Sequence, residues 1–264
     1  MNKTLEKIFA IVLLVTMVTG LSACFGDPGF GDVSASYTTQ DTISVYKRSF
    51  FDAAQNPYYA TLKDNEKNVY SLIFEELYKG SQKFECPVKT NAEELSLAID
   101  AVLNDHPDLF WLDNKYSYSY DPEDGSVKEI TFEFYDFADT PDKLHKAKVA
   151  LEEAADSVIS QARLKTTMVE RELFIHDYIC QNTVYDEAAP YNQSAYSCLV
   201  MHKSVCAGYA RAFQYLMQKA GFTCYYVAGR TEGLNGQVIN GSNESGSHSR
   251  NMALCAERFL DRAG

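Results

Sequence analysis

The stretch Ser204-Val205-Cys206-Ala207-Gly208-Tyr209-Ala210-Arg211-Ala212-Phe213 decides how the fold of this 264-residue chain is interpreted. Apolar residues recur in and after it at helical spacing: Val205, Tyr209, Ala212, Phe213, Leu216 and Ala220. Ser204 is a residue type that caps helix N-termini, and Gly221 is the type that follows helix C-termini. The pattern therefore predicts a helix from Val205 to Ala220, with Cys206 in its first turn.

Cys206 is the residue of this helix that carries chemistry. The first turn of a helix leaves backbone N–H groups unpaired, and these groups together with the helix dipole favour a thiolate. The thiolate is the nucleophilic form of cysteine. Gly208 has no side chain and would let neighbouring backbone come close to this turn. The alternative is a buried helix cysteine that acts as a small apolar residue.

A histidine follows the predicted helix after one further element. Residues 222–228 have the composition of a strand, and the stretch 229–247 is polar and rich in Gly, Asn and Ser. His248 then leads into a second short strand over 252–255. A cysteine and a histidine that are distant in sequence and close in the fold are the minimal apparatus of thiol-dependent acyl transfer. The alternative for His248 is an ordinary loop histidine.

Several stretches between Glu170 and Asn251 resemble the transglutaminase-like superfamily, which shares the papain-type core. They are Ile175-His176-Asp177-Tyr178, Thr183-Val184-Tyr185-Asp186, Ser194-Ala195-Tyr196, Ser204 to Phe213 and Lys219-Ala220-Gly221-Phe222. The resemblance implies an α+β fold in which a helix packs on an antiparallel sheet, with Cys206 as nucleophile and His248 as its base. It also implies acyl transfer from an amide of a peptide, a protein or a cell-wall polymer. Water as acceptor would make the protein a peptidase or amidase, and an amine would make it a cross-linking transglutaminase.

The sequence departs from the family in two places. Arg250 stands where the family has an aromatic residue two positions after the histidine. The aspartate that normally orients the histidine would fall near Ala263, and Asp261 is a doubtful substitute because it comes two residues early. The strands that usually follow are missing, so the sequence is interpreted as either a truncated or a divergent version. These departures keep a second hypothesis open, a catalytically inactive surface module that binds protein or cell-wall polymer.

Tyr196 is a candidate for a further role in the predicted site. It lies in the segment before the cysteine, where its hydroxyl could donate a hydrogen bond to a developing oxyanion. Core packing of its ring is the alternative.

Residues 41–138 are expected to form an N-terminal α/β region, and residues 139–264 the transglutaminase-like domain, incomplete at its C-terminus. In the first region the pattern predicts helices over Tyr59–Tyr78 and from Asn91, then a β-hairpin over 116–134 whose aromatic residues either pack or face a ligand. Helices starting at Pro141 and after the capping box of Thr167 are expected next. His106 is expected on a helix surface.

The first 24 residues resemble the export signal of bacterial lipoproteins. Lys3 and Lys7 precede an apolar run of about 13 residues, too short for a spanning helix, and Leu21-Ser22-Ala23-Cys24 follows directly. The resemblance implies that residues 1–23 are removed, that Cys24 carries two acyl chains, and that 24–40 tether the protein to the extracytoplasmic face of the bacterial cell membrane. A plain membrane anchor or ordinary cleavage nearby is the alternative.

The composition limits the kinds of partner that the protein could bind. The formal net charge is −12, and no basic stripe is present, which argues against nucleic acid. None of the seven cysteines shows metal-binding spacing, so neither a metal nor another cofactor is expected.

Overall fold

The computed structural model describes residues 51, 55–230 and 247–254, with residues 114, 230 and 247–254 described by their backbone. Contacts between Cα atoms divide the chain into Met1–Ser44 and Val45–Gly264, and every described residue belongs to the second unit. The predicted signal segment 1–23, Cys24 and the tether 24–40 therefore lie outside the described residues. Within the described ranges, no helix combines the length and the apolar character needed to cross a bilayer.

The described elements alternate between helices and short strands. In the first half they are α1 (Pro57–Thr61), α2 (Asp64–Lys79), β1 (Lys83–Glu85), α3 (Ala92–Asp105), β2 (Leu112–Tyr120) and β3 (Val127–Phe134). In the second half they are α4 (Pro141–Ala162), α5 (Met168–Asn182), β4 (Val184–Tyr185), α6 (Ala195–Leu199), β5 (Lys203–Ser204), α7 (Cys206–Lys219), β6 (Thr223–Arg230) and β7 (Ser247–Leu254). The expected α+β class is confirmed, because the described residues combine helices with antiparallel sheets.

Strands β1, β3 and β2 form an antiparallel sheet in that order, which confirms the predicted hairpin. Alternate residues of β2 carry aromatic rings, and Tyr116, Tyr118 and Tyr120 are all exposed. Their neighbours on β3, Phe132 and Ile130, are buried in the core. The aromatic residues of the hairpin therefore fall into two groups. The rings on β3 pack in the core, whereas those on the edge strand β2 are exposed.

The single helix predicted over Tyr59–Tyr78 is two helices in the structure. Lys63 has an extended backbone between α1 and α2, and its N–H donates to the carboxylate of Glu66 at 2.7 Å. This bond satisfies a backbone donor at the start of α2 and favours a new helix over continuation of α1. Three further helix starts are where the sequence placed them, with side-chain caps from Asn91, Thr140 and Thr167.

The hydrophobic core extends through both predicted regions. It includes Ile99 of α3 and Ile130 of β3 from the first region, and Ile159, Ile175 and Leu216 from the second. Each of these side chains is at most 2 % exposed, and burying such a residue contributes about 1.5–3 kcal/mol. The predicted boundary between residues 138 and 139 therefore does not coincide with a gap in the hydrophobic core.

Helix α7 also binds the end of α3 through polar side chains. The last carbonyls of α3, at residues 103–105, accept hydrogen bonds from Arg211 (2.7 Å), Gln214 (2.7 Å) and Gln218 (3.2 Å). These donors are spaced at three, four and seven residues, so they lie on one face of α7. Because helix C-termini leave carbonyls unpaired, this face of α7 supplies the C-terminal cap of α3.

The residue after α3 corrects one expectation. His106, predicted on a helix surface, is 8 % exposed. Its Nε2 atom lies 2.7 Å from the hydroxyl of Tyr70, and that hydroxyl donates to Asp105 Oδ2 at 3.1 Å. A histidine can be buried here because the tyrosine and its neighbours satisfy the polar atoms of the ring.

Candidate active site

Cys206 is the first residue of α7, so the helix begins one position later than the sequence predicted. The N-cap is Val205, with an extended backbone (φ −112°, ψ −178°) and no side-chain hydrogen bond to the first turn. The prediction of Ser204 as the capping residue is therefore wrong. Val205 offers the first turn of α7 no side-chain cap, and Cys206, half-buried, is the first residue of that turn. The predicted place of Cys206 in the first turn is therefore confirmed.

Ser204 serves the site in another way. Its side chain is completely buried, and its Oγ atom donates to the carbonyl oxygen of Asn192 at 2.6 Å. The same atom lies 2.8 Å from Ser197 Oγ, and the N–H of Val205 also donates to Asn192 O at 3.1 Å. These bonds tie the residues directly before Cys206 to the segment that leads into α6. They explain why the Ser204 hydroxyl is not available as a helix cap.

Gly208 lies where the backbone of this segment comes closest to α7. A Cβ atom at position 208 would stand 1.9 Å from Ser204 Oγ, 2.6 Å from Asn192 O and 2.9 Å from Ser194 O. The expectation that Gly208 allows close approach of backbone is therefore confirmed. The glycine sets how near the loop lies to the first turn of α7.

The short strands β4 and β5 pair in parallel just before α7, with Tyr185 opposite Ser204. The phenol of Tyr185 interacts with both the thiol and the backbone N–H of Cys206. Partial burial, and then the electrostatic interaction with Cys206, raise the pKa of Tyr185. Tyr185 belongs to one of the stretches that resemble the superfamily, but no signal in the sequence indicates a role for it. A strand of two residues has no periodicity that could have revealed its neighbour.

Tyr196, the predicted oxyanion candidate, lies on α6. Its ring stacks on Phe137 at 4.6 Å and on Phe110 at 5.5 Å between centroids. Among the described hydrogen bonds none joins its hydroxyl to Cys206. This environment supports the alternative that the ring of Tyr196 has a packing role.

Strand β6 runs back along α7 toward the cysteine. Gln214 Nε2 lies 3.5 Å from Cys224 O, and the Arg211 guanidinium lies 4.6 Å from the centre of the Tyr226 ring. Between these two contacts the residue numbers of α7 fall while those of β6 rise, so the helix and the strand run antiparallel. From Tyr226 to Gly229 the strand advances about 10 Å, and from Arg211 to Cys206 the helix recedes about 7.5 Å. Gly229 therefore comes level with the N-terminus of α7.

The remaining residues of the predicted apparatus follow from this register. His248 lies on β7 directly opposite Gly229, and Arg250 lies opposite Val227. The backbone of His248 is thus at the same end of α7 as Cys206. Its side chain and that of Arg250 are outside the described part, and so are Asp261 and Ala263.

Four other described cysteines are free thiols, and each differs from Cys206 in its surroundings. Cys86, Cys198 and Cys224 are buried, and burial raises the pKa of Cys198 to about 12. Cys180 is exposed on α5, 3.7 Å from His176 Nε2, and His176 Nδ1 lies 3.0 Å from Asp177 Oδ1. In the described ranges, no three His, Cys, Asp or Glu side chains converge to hold a metal ion.

Comparison with known proteins gives a family for this part of the chain. Residues 155–261 match the family model of the transglutaminase-like superfamily. No curated protein matches the chain significantly. Two solved structures are similar in part: a proposed cysteine protease from Cytophaga hutchinsonii (14% identity, TM-score 0.31, 53% of this chain and 57% of that one) and a TGase (11% identity, TM-score 0.33, 69% and 52%). The chain thus spans little more than half the length of these structures. The matched residues 155–261 include Cys206 and His248 and resemble a transglutaminase-like domain.

Proposed function

We propose that this protein is a thiol-dependent acyltransferase that acts on amides. Cys206 is the nucleophile and His248 the general base that removes the thiol proton. The observation that carries the proposal is the position of Cys206, half-buried in an uncapped first turn of a 14-residue helix within the matched domain. The register that pairs His248 with Gly229 supports the role of the histidine.

The proposed reaction has two steps. The sulfur of Cys206 bonds to the amide carbon, the C–N bond breaks, and His248 returns its proton to the leaving amine. Water or a second amine then attacks the thioester, giving hydrolysis or a new amide, and the thiol is restored. Proteins and peptides are the substrate class that a transglutaminase-like domain suggests, and cell-wall amides are a further candidate.

The test is a pair of cysteine variants of the full chain in detergent. Cys206→Ala should reduce both peptide-amide hydrolysis and incorporation of a fluorescent primary amine to background. Cys180→Ala removes an exposed thiol from α5 and should leave both activities unchanged. Full activity of the Cys206→Ala variant would overturn the proposal.

A binding module on the same fold is the second candidate, because Arg250 replaces an aromatic residue of the family. Alkylation by iodoacetamide at about pH 6 distinguishes the enzyme from the binding module. An ordinary free thiol is almost wholly protonated at this pH and therefore reacts slowly. An enzyme should alkylate at Cys206 faster than at Cys180, and His248→Ala should slow the Cys206 reaction. Equal rates at the two cysteines, unaffected by His248→Ala, would favour the binding module.

We further propose that the protein is a lipoprotein held by acyl chains on Cys24 at the extracytoplasmic face of a bacterial cell membrane. The support is the order of charge, apolar run and Leu21-Ser22-Ala23-Cys24. Cells fed an alkyne fatty acid should label the wild-type protein and not Cys24→Ala, and the variant should leave the membrane fraction. Equal labelling of both proteins would contradict the proposal.

A further inference from the structure

The backbone of Tyr185 is fixed relative to the residues that precede Cys206. The N–H of Val184 donates to His202 O at 2.9 Å, and the N–H of Asp186 donates to Ser204 O at 3.0 Å. Tyr185 lies between these two bonds, opposite Ser204. These two hydrogen bonds fix the backbone of Tyr185 beside β5. Its partner there, Ser204, lies two positions before the nucleophile Cys206.

The ring of Tyr185 is held on the outer side of the site. It is 57 % exposed, and its centroid lies 6.2 Å from that of Tyr209 at an angle of 32°. The hydroxyl of Tyr209 is itself bound to the carbonyl oxygen of Thr183, so the ring that supports Tyr185 is anchored. The phenol of Tyr185 meets both the sulfur and the N–H of Cys206.

Attack of a thiolate on an amide creates a negative oxygen beside the sulfur, and this oxygen needs hydrogen-bond donors. The N–H of Cys206, at the start of α7 and beside the Tyr185 phenol, is one such donor once a substrate oxygen takes the place of that contact. We propose that the hydroxyl of Tyr185 is the second donor, so that it and the N–H of Cys206 together bind the oxyanion. This inference rests on the proposed acyl transfer at Cys206.

In the proposed reaction Tyr185 must keep its proton and remain a phenol. As the S–C bond forms, the carbonyl π electrons move to oxygen, and Tyr185 donates a hydrogen bond without losing its proton. When the oxyanion collapses, the C–N bond breaks and the leaving nitrogen takes its proton from His248. A raised pKa keeps Tyr185 protonated at neutral pH, and it therefore remains a donor throughout.

The test compares two reactions of the full chain, only one of which forms an oxyanion. Acylation of Cys206 by p-nitrophenyl acetate passes through a tetrahedral oxyanion, whereas alkylation by iodoacetamide is a direct displacement at carbon. Tyr185→Phe should lower the acylation rate at least tenfold, toward the about 10²–10³ typical of a lost oxyanion donor. Alkylation forms no oxyanion and should therefore change far less than acylation, although the phenol also contacts the sulfur. A merely structural role or a role in forming the thiolate would affect both reactions equally.

Tyr196→Phe is the matched control, since it removes the same hydroxyl from a ring packed against Phe110 and Phe137. It should leave both rates unchanged. Unchanged acylation in Tyr185→Phe, or an equal fall of acylation and alkylation, would overturn the assignment of Tyr185 while leaving the acyl transfer intact. A wild-type protein that acylates no faster than Cys206→Ala would instead reject the proposed function, and this inference with it.

Discussion

Gly208 and Ser204 approach so closely that a Cβ atom at residue 208 would stand 1.9 Å from Ser204 Oγ. The Ser204 side chain is buried and bound, and the next nearest atoms, Asn192 O and Ser194 O, belong to backbone. Gly208→Ala must therefore displace the loop before Cys206, and we expect a loss of about 1–3 kcal/mol in the free energy of unfolding. The alkylation rate of Cys206 should change as well.

Gly229→Ala is the control for this glycine in urea denaturation. Among the atoms that the structure describes, a Cβ atom there would meet nothing within 4 Å. Its free energy of unfolding should stay within about 0.5 kcal/mol of wild type. If Gly208→Ala were as stable as Gly229→Ala, the loop would have room to move and would not be held by Ser204.

Arg211 links helix α7 to the N-terminal region. Its guanidinium donates to Leu103 O and stacks on Tyr226, and burial lowers its pKa. Arg211→Lys keeps the charge but loses the planar group that makes both contacts, so we expect about 1–3 kcal/mol of destabilisation in urea denaturation. Arg171→Lys, whose bond to Lys165 O lies at the surface, should cost under about 0.5 kcal/mol. Equal effects would show that the cap of α3 adds no stability.

The buried hydroxyl of Tyr70 bridges Asp105 and His106. Tyr70→Phe would leave the Nε2 atom of His106 without this partner inside the core, and we expect a loss of about 1–3 kcal/mol in stability. Tyr120→Phe changes a ring that is 60 % exposed and should be neutral within about 0.5 kcal/mol in the same denaturation experiment. A neutral Tyr70→Phe would mean that water replaces the hydroxyl.

Local signals in the sequence were sufficient for most helices and for the hairpin. Thr140 followed by Pro141, and Thr167 with Glu170, define helix starts through bonds that involve near neighbours, and the structure has both. The break at Lys63 was missed because the apolar spacing continues across it. A backbone donor paired with Glu66 ended one helix and began another there.

The sequence could predict those parts of the candidate site that depend on residue type. It could not predict the parts that depend on contacts between segments distant in sequence. Cys206 and Gly208 could be identified from a helix pattern and a missing side chain. The contact of Tyr185 with Cys206 could not, because it follows from a two-residue parallel pairing between residues 19 positions apart. Ser204 was misassigned because its hydroxyl has a competing acceptor in Asn192, twelve residues away in sequence.

The buried thiol of Cys198 makes stability depend on pH in the alkaline range. Its pKa is raised by burial to about 12, so the folded state keeps the proton after the unfolded thiol, with a pKa of about 8.5, has lost it. Its contribution is complete below about pH 8.5 and falls by about 1.4 kcal/mol per pH unit as pH rises toward 12. Cys198→Ala lacks this loss, so its deficit relative to wild type should shrink between about pH 8 and pH 10.5 in urea denaturation. Ser197→Ala alters a neighbouring buried side chain with no group that titrates there, and its deficit should stay constant. A constant deficit for Cys198→Ala would show that the folded protein releases this proton as readily as the unfolded chain.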